Sequence, residues 1–384
     1  MKVSIGTITK SLDSANTLIQ FVENAKKYGH EIDSAIVVCS DGTDRKVAEA
    51  IRKNTPLTVV DLNRPTQLEN RLKTREISFA SIETLLKCSA LGESGLVPYG
   101  FNRNMALMEA ITSEKDILVF VDSDVIPYVL TEADGNFVLE EIDFIGRHLE
   151  YLNAGSQVTT SEYSGYNILP PASFDGTEDL LLGLQKDDML SFWLESEEHD
   201  CLKIQTQAGR PEPCKKVLGG NAGFRLEAFS VLPPFFSSYY MADGDFFLTR
   251  GEDTILSLAM VKNKISCTDI QTYIFHDTYG GYPAKPDLRS DAATQKRFFY
   301  ACAGWIGRNP FYNYLMGQDL QETRDFQRRH LAIGARALAD YTSNSCFLTL
   351  PDKLETSWAS LDRYISEYDR LLEAWSEFII KSCL

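Results

Sequence analysis

Between Ile117 and Pro127 the chain reads ILVFVDSDVIP, an apolar run that ends on two aspartates with Ser123 between them. Side chains alternate faces along an extended strand, so Asp122 and Asp124 project together from its end. Two carboxylates about 5 Å apart repel by roughly 3 kcal/mol at an effective dielectric of about 20. Such a pair protonates, is solvated apart in a turn that favours Asp and Ser, or holds a cation. Four more stretches carry polar residues at the ends of regular patterns. They are the turn VVCSDGTD with Asp41, the helix opening YGFNRNMALMEA with Arg103 and Asn104, the acidic start RGEDTILSL with Glu252 and Asp253, and the strand end IFHDTY with His276.

The elements that must position these residues follow from periodicity. KVSIGTI and SAIVVCS are short apolar runs bounded by polar residues, and the stretch between them has helical spacing at Leu18, Ile19, Val22 and Ala25. Asp13 or Ser14 suits its N-terminus and Gly29 its end. VAEAIRKN predicts a second helix, LTVVDL a third strand, ISFASIETLLKCSAL a third helix, and FNRNMALMEAIT a fourth that leads into the Asp122 strand. Strands alternating with helices imply a mainly parallel α/β sheet with its ligand crevice at the carboxyl ends of the strands. Asp122 and Asp124 fall at that end. A helix is expected around VLEEIDFIGRHLEYL, a strand, a glycine turn and a helix along KKVLGGNAGFRLEAFSVL, and one strand along CTDIQTYIF. From about Pro286 the pattern is helical to the end.

Charge is unevenly placed. The chain of 384 residues carries a net charge of −16, and residues 131–200 hold 16 acidic against 2 basic side chains. That segment repels a nucleic-acid backbone or an anionic membrane. It reads as a solvated insertion, or as a device that selects against anionic acceptors. No apolar run approaches the length of a membrane span, and the start, MKVSIGTITK, does not read as a secretory leader. The eight cysteines show no metal-binding spacing and read as reduced thiols of a cytoplasmic protein. His199, Cys201 and Cys214 fit no zinc pattern.

Taken in order, the Asp41 turn, the Arg103 helix, the Asp-Ser-Asp strand end, GGNAGF, the Glu-Asp helix start and the late His resemble the GT-A glycosyltransferases of family 2 type over residues 1–285. The resemblance implies a nucleotide-binding half (1–125), an acidic insertion (126–216) and an acceptor half (217–285), followed by a helical C-terminal region (286–384) that resembles nothing named. It implies transfer of a sugar from a UDP- or GDP-sugar to a hydroxyl of a soluble acceptor, with Mn²⁺ or Mg²⁺ as cofactor. In that family Asp124 and His276 are metal ligands, and Asp122 contacts the ribose or the shell of the metal. Asp41, Thr7 and Thr9 line the nucleoside, and Arg103 and Asn104 meet the diphosphate. Gly219, Gly220 and Asn221 shape the acceptor side, Glu252 contacts the acceptor, and Asp253 is the base of an inverting reaction.

Each has a plainer reading too: Arg103 as a surface ion pair, Glu252 and Asp253 as complements to a helix N-terminus, Asp41 as an Asp-Gly turn. Asp243 and Asp245 rival Asp253 as base. A retaining transferase similar to mannosylglycerate synthase, a sugar-phosphate nucleotidylyltransferase and a non-catalytic binding module are the alternatives. The nucleotidylyltransferase reading lacks the basic glycine-rich loop it needs after the first strand.

Overall fold

The computed structural model describes residues 1–88, 96–195, 201–206 and 209–382. His199 and the last residues of the helix expected at 77–91 lie outside the described residues. The first third runs β1 (Val3–Thr9), α1 (Leu18–Lys27), β2 (Ser34–Cys39), α2 (Arg45–Arg52), β3 (Leu57–Asp61), α3 (Thr66–Thr74), α4 (Phe79–Leu86), α5 (Tyr99–Thr112) and β4 (Ile117–Asp122). The middle runs β5 (Val125–Ile126), β6 (Tyr128–Ala133), β7 (Asn136–Glu141), α6 (Phe144–Asn153), β8 (Val158–Thr160), β9 (Tyr163–Tyr166), α7 (Thr177–Gly183), α8 (Leu190–Glu195), β10 (Leu202–Lys203) and β11 (Glu212–Pro213). The last part runs β12 (Asn221–Arg225), β13 (Tyr239–Ala242), β14 (Asp245–Leu248), α9 (Glu252–Lys262), β15 (Cys267–Asp269), β16 (Ile274–His276), α10 (Ala292–Met316), α11 (Leu320–Thr342), α12 (Leu350–Ala359) and α13 (Leu361–Lys381).

The expected α/β class with a helical C-terminal extension is what the chain adopts. Its main sheet has the order β11-β15-β8-β12-β4-β1-β2-β3. Strands β3, β2, β1 and β4 run parallel and end almost flush, with Cys39 opposite both Thr9 and Asp61, and Ile8 opposite Asp122. β1, β2 and β4 are buried on both faces, as parallel strands sandwiched between helices must be. β12 returns antiparallel beside β4 with Asn221 opposite Val121, so Gly219 and Gly220 arrive at the same edge as Asp122. A smaller sheet, β10-β9-β16-β5, sets His276 opposite Val125. That register brings the late histidine beside Asp124.

Of the four apolar clusters among the described residues, three hold these layers. Phe21, Phe144 and Ile145 cover one face of the sheet. Met105 and Leu107 of α5 cover the other with Phe224, Phe229 and, from α13, Trp375 and Phe378. The third cluster joins Leu180 and Leu181 of α7 to Phe298 and Ile306 of α10 and Leu331 and Leu338 of α11. Each large apolar side chain buried this way contributes roughly 1.5–3 kcal/mol. The acidic insertion and the C-terminal helices therefore share a core, and neither is an appendage to the other.

Several local expectations change. α1 begins at Leu18, because Asp13 accepts from the Ala15 N–H in a turn and Asn16 accepts from Leu18. The helix expected from Val138 begins at Phe144 behind an Asp143 cap; Val138 to Glu141 instead pair with β6 across an Asp134-Gly135 turn in which both φ angles are positive. Residues 66–74 form a helix that the apolar pattern did not signal. Lys215 to Leu218 form no strand; the strand follows the glycines and leads into a short 3₁₀ turn. The single strand expected at 267–275 is two, divided where Gln271 takes a positive φ.

Candidate active site

A cavity of about 570 Å³ opens at the carboxyl edge of β1 and β4. Its floor is the Asp122 to Asp124 turn and the Gly219-Gly220 loop, and its walls come from Glu162 to Ile168, the start of α9, His276, and Arg297, Trp305 and Arg308 of α10.

Arg103 is the hub beneath it. Its guanidinium, only 4% exposed, donates to Glu252 Oε1 at 3.0 Å, Asp122 Oδ1 at 3.0 Å and the Gly219 carbonyl at 2.7 Å. It also stacks over Phe120 and Phe235. Burial works against this charge, but Asp122 and Glu252 outweigh it and raise the arginine's pKa. Burial in turn raises the pKa of Glu252, with Arg103 opposing. The glycines are required by close approach: a side chain at Gly219 would strike the Arg103 guanidinium, and one at Gly220 would strike the Asp122 carboxylate and the Tyr163 hydroxyl. Tyr163 donates toward Asp122 Oδ2 at 3.4 Å and accepts from the Gly220 N–H at 3.0 Å. Burial and the Asp122 charge push its pKa well up, so it stays a donor.

Asp124 faces a different set of groups. His276 Nε2 lies 3.3 Å and Arg297 Nη2 3.5 Å from its Oδ2. Partial burial opposes its charge, yet His276 and Arg297 hold its pKa down to about 2. His276 Nε2 is buried and has no aligned hydrogen-bond partner among the described residues, while its Nδ1 lies 3.3 Å from the Thr278 hydroxyl. A carboxylate oxygen beside an unsatisfied imidazole nitrogen is a donor set that suits a divalent first-row ion such as Mn²⁺. Among the described residues no third His, Cys, Asp or Glu joins them in a cluster.

At the first turn of α9, Asp253 Oδ2 accepts from the Gly219 N–H at 3.1 Å and Oδ1 from the Thr254 N–H at 2.7 Å. Gly251 precedes it with a φ of 88°, and a side chain there would meet Arg308 Cδ at 2.8 Å. The carboxylate is thus tied to the glycine floor, and the turn that carries it lies close against Arg308 of α10 at Gly251.

The structure gathers Asp122, Asp124, Arg103, Gly219, Gly220, Glu252, Asp253 and His276 into the cavity lining. It leaves others outside. Thr7 is buried in mid-strand, and Thr9 bonds the Ser11 carbonyl. Asp41 is at the same sheet edge but exposed, paired with Lys10 at 3.2 Å. Asn104 clamps both backbone groups of Phe235, and Asn221 is buried with His148 Nε2 at 3.1 Å. Asp243 pairs with Lys353 and, like Asp245, lies on the β13–β14 hairpin outside the lining.

No protein-family model and no curated protein matches the chain. Solved structures similar to it include glucosyl-3-phosphoglycerate synthase from Mycobacterium tuberculosis with UDP, at 14% identity over 83% of this chain and 80% of that one, TM-score 0.37. The same enzyme with Mn²⁺ and UDP-glucose matches at 15% identity over 80% and 78%, TM-score 0.36, and a mycobacterial protein at 16% over 79% and 74%, TM-score 0.37.

Sequence reading missed Tyr163, Arg250, Arg297 and Arg308. Arg308 carried a usable signal, a charge inside a helical stretch whose neighbours Ala301 to Phe311 are all buried. Pairing sorts the charges of the cavity. Glu162 takes Lys203 and Lys216, Asp188 takes Lys186, and Asp124 takes Arg297. Among the described residues, Arg250 and Arg308 lining the cavity make no ion pair. Arg308 is buried, its Nε has no partner, and burial lowers its pKa.

Proposed function

We propose that the chain is a metal-dependent glycosyltransferase of GT-A type that moves a sugar from a UDP- or GDP-sugar to a hydroxyl of an acceptor carrying a carboxylate or phosphate. The observation that carries this reading is the convergence, in one cavity at the carboxyl edge of a parallel sheet, of the Asp124–His276 pair, the glycine floor and Asp253.

Asp124 and His276 are the residues that would hold the ion, which supplies Lewis-acid neutralisation of the leaving diphosphate. Asp122, fixed by Arg103 and Tyr163, presents its carboxylate beside them as a partner for donor hydroxyls. Asp253 accepts the proton of the acceptor hydroxyl as that oxygen attacks the anomeric carbon. Its location in the lining favours it over Asp243 and Asp245, and its hydrogen bond from Gly219 orients it. Glu252 acts through Arg103, which ties it to both Asp122 and the glycine floor. Arg308 and Arg250 recognise the anion of the acceptor. Thr9 and Asp41, at the open end of the same edge, remain the proposed nucleoside contacts.

Calorimetric titration of the protein with UDP and with GDP, each with and without Mn²⁺, tests this. Binding of one of them that depends on Mn²⁺ and is lost in Asp124→Asn is expected. Failure of both nucleotides to bind overturns the reading.

A further inference from the structure

The antiparallel pairing of β11 with β15 sets Glu212 opposite Asp269 and Pro213 opposite Thr268. One step further in that register, Cys214 meets Cys267, and the Cys214 N–H donates to the Cys267 carbonyl at 3.0 Å. Their sulfurs lie 3.0 Å apart. That is a short torsional step from the bonded separation of about 2 Å. Both are free thiols, and Cys214, half-buried, is the more accessible residue of the two, Cys267 being buried.

We propose that Cys214 and Cys267 form an oxidisable pair that closes into a disulfide and clasps β11 to β15. The oxidant is a low-molecular-weight disulfide. The Cys214 thiolate attacks one of its sulfurs and releases the first small thiol. Cys267 then gives up its proton to solvent and attacks the Cys214 sulfur, releasing the second. Two protein thiols are oxidised and one small disulfide is reduced to two thiols. The hydrogen bond with Cys267 lowers the pKa of Cys214, in keeping with its role as the attacking sulfur.

The clasp has a place to act. Beyond Cys214 the chain runs to Val217, whose N–H donates to Ser257 Oγ at 3.0 Å, and to Gly219 under Asp253. A covalent link at residue 214 anchors the start of the segment that floors the cavity, and it closes a long loop to Cys267, which disfavours the unfolded chain. Neither effect depends on what the cavity binds.

The test uses the native wild-type chain equilibrated with oxidised glutathione, then alkylated, digested and weighed. The expected product is the two peptides joined and lighter by two hydrogens, while exposed Cys346 is found alkylated or glutathionylated. A stable glutathione adduct on Cys214, or free alkylation of both cysteines, overturns the proposal. The oxidised chain should also unfold at higher urea than the reduced one, with the shift reversed by dithiothreitol and absent in Cys214→Ser. A disulfide that leaves the midpoint where it was, or a shift that persists in Cys214→Ser, refutes the clasp.

Discussion

Replacing Arg103 by Met keeps a long apolar stem against Phe120 and Phe235 while removing the charge that Glu252 and Asp122 share. Glu252 is 7% exposed and would then be a buried carboxylate without a cation. Breaking one side of a buried pair costs about 3–5 kcal/mol, a large share of the 5–15 kcal/mol by which a domain is stable. The cost should depend on pH. The folded pKa of Glu252 lies above its ordinary 4.5 because of burial, and Arg103 opposes that rise. A carboxyl whose pKa is raised on folding contributes stability below its unfolded pKa and loses it as pH climbs through the folded value. Without Arg103 the folded value climbs further, and each added unit widens the loss by about 1.4 kcal/mol above it. Urea unfolding of wild type and Arg103→Met at pH 5 and pH 8 measures this: the gap between the two proteins should be larger at pH 8. Adding Glu252→Gln to Arg103→Met should recover part of the loss, as expected for residues in direct contact. A gap equal at the two pH values, with no recovery in the double variant, refutes the claim that the Arg103 charge offsets the cost of burying the Glu252 carboxylate beneath the cavity.

His148 is buried between Thr159 and Asn221, and burial pushes its pKa down to about 4 from 6.5. A histidine held neutral on folding loses stability as pH falls from its unfolded pKa through the folded one, here by roughly 3 kcal/mol between pH 6.5 and 4. His148→Gln should flatten that limb of the stability profile, and an unchanged slope would count against it. Arg308→Met should raise KM for an anionic acceptor about 10- to 100-fold, the worth of a charge-assisted hydrogen bond. Nucleotide affinity by the same calorimetry should hold; acceptor and nucleotide binding falling together would make Arg308 a support of the fold.

What was readable depended on how local the cause was. β1, β2 and β4 declare themselves because strands buried on both faces must be apolar throughout, but period two does not carry past Asp122, where β4 ends: Ser123 and Asp124 lie in a turn, and the two carboxylates face different groups. The α3 helix was silent because it buries few residues, Leu68 and Leu72. Val138 to Glu141, the last residues of the β6–β7 hairpin, read as helix because Val138 continues the helical spacing of Ile142, Ile145, Leu149 and Leu152, while Asp134-Gly135 held the contrary signal. Within the site, strand ends, the glycine pair and polar helix starts are legible from local pattern, whereas Tyr163 of β9 and the arginines of α10 are not. Arg297 and Arg308 reach the cavity because α10 packs on the insertion through a shared core, a fact of tertiary packing that no window of sequence contains.

The like charges at Asp122 and Asp124 pose a problem that the structure resolves by giving each its own partners. If both turned toward one ion, Arg103 would have no carboxylate under the floor except Glu252, and Tyr163 would lose its acceptor. Instead Asp122 is bound into the wall by Arg103 and Tyr163, and Asp124 alone faces His276 and Arg297. Each carboxylate has its own basic partner, with Arg103 Nη2 3.0 Å from Asp122 and Arg297 Nη2 3.5 Å from Asp124, and a guanidinium at such a distance offsets the repulsion of a neighbouring carboxylate. The consequence for chemistry is a division of labour. On the proposed reading Asp122, held at both oxygens by Arg103 and Tyr163, would position the donor, whereas Asp124, paired with a histidine whose Nε2 lacks an aligned partner, would exchange its contacts for a ligand without unpicking the core.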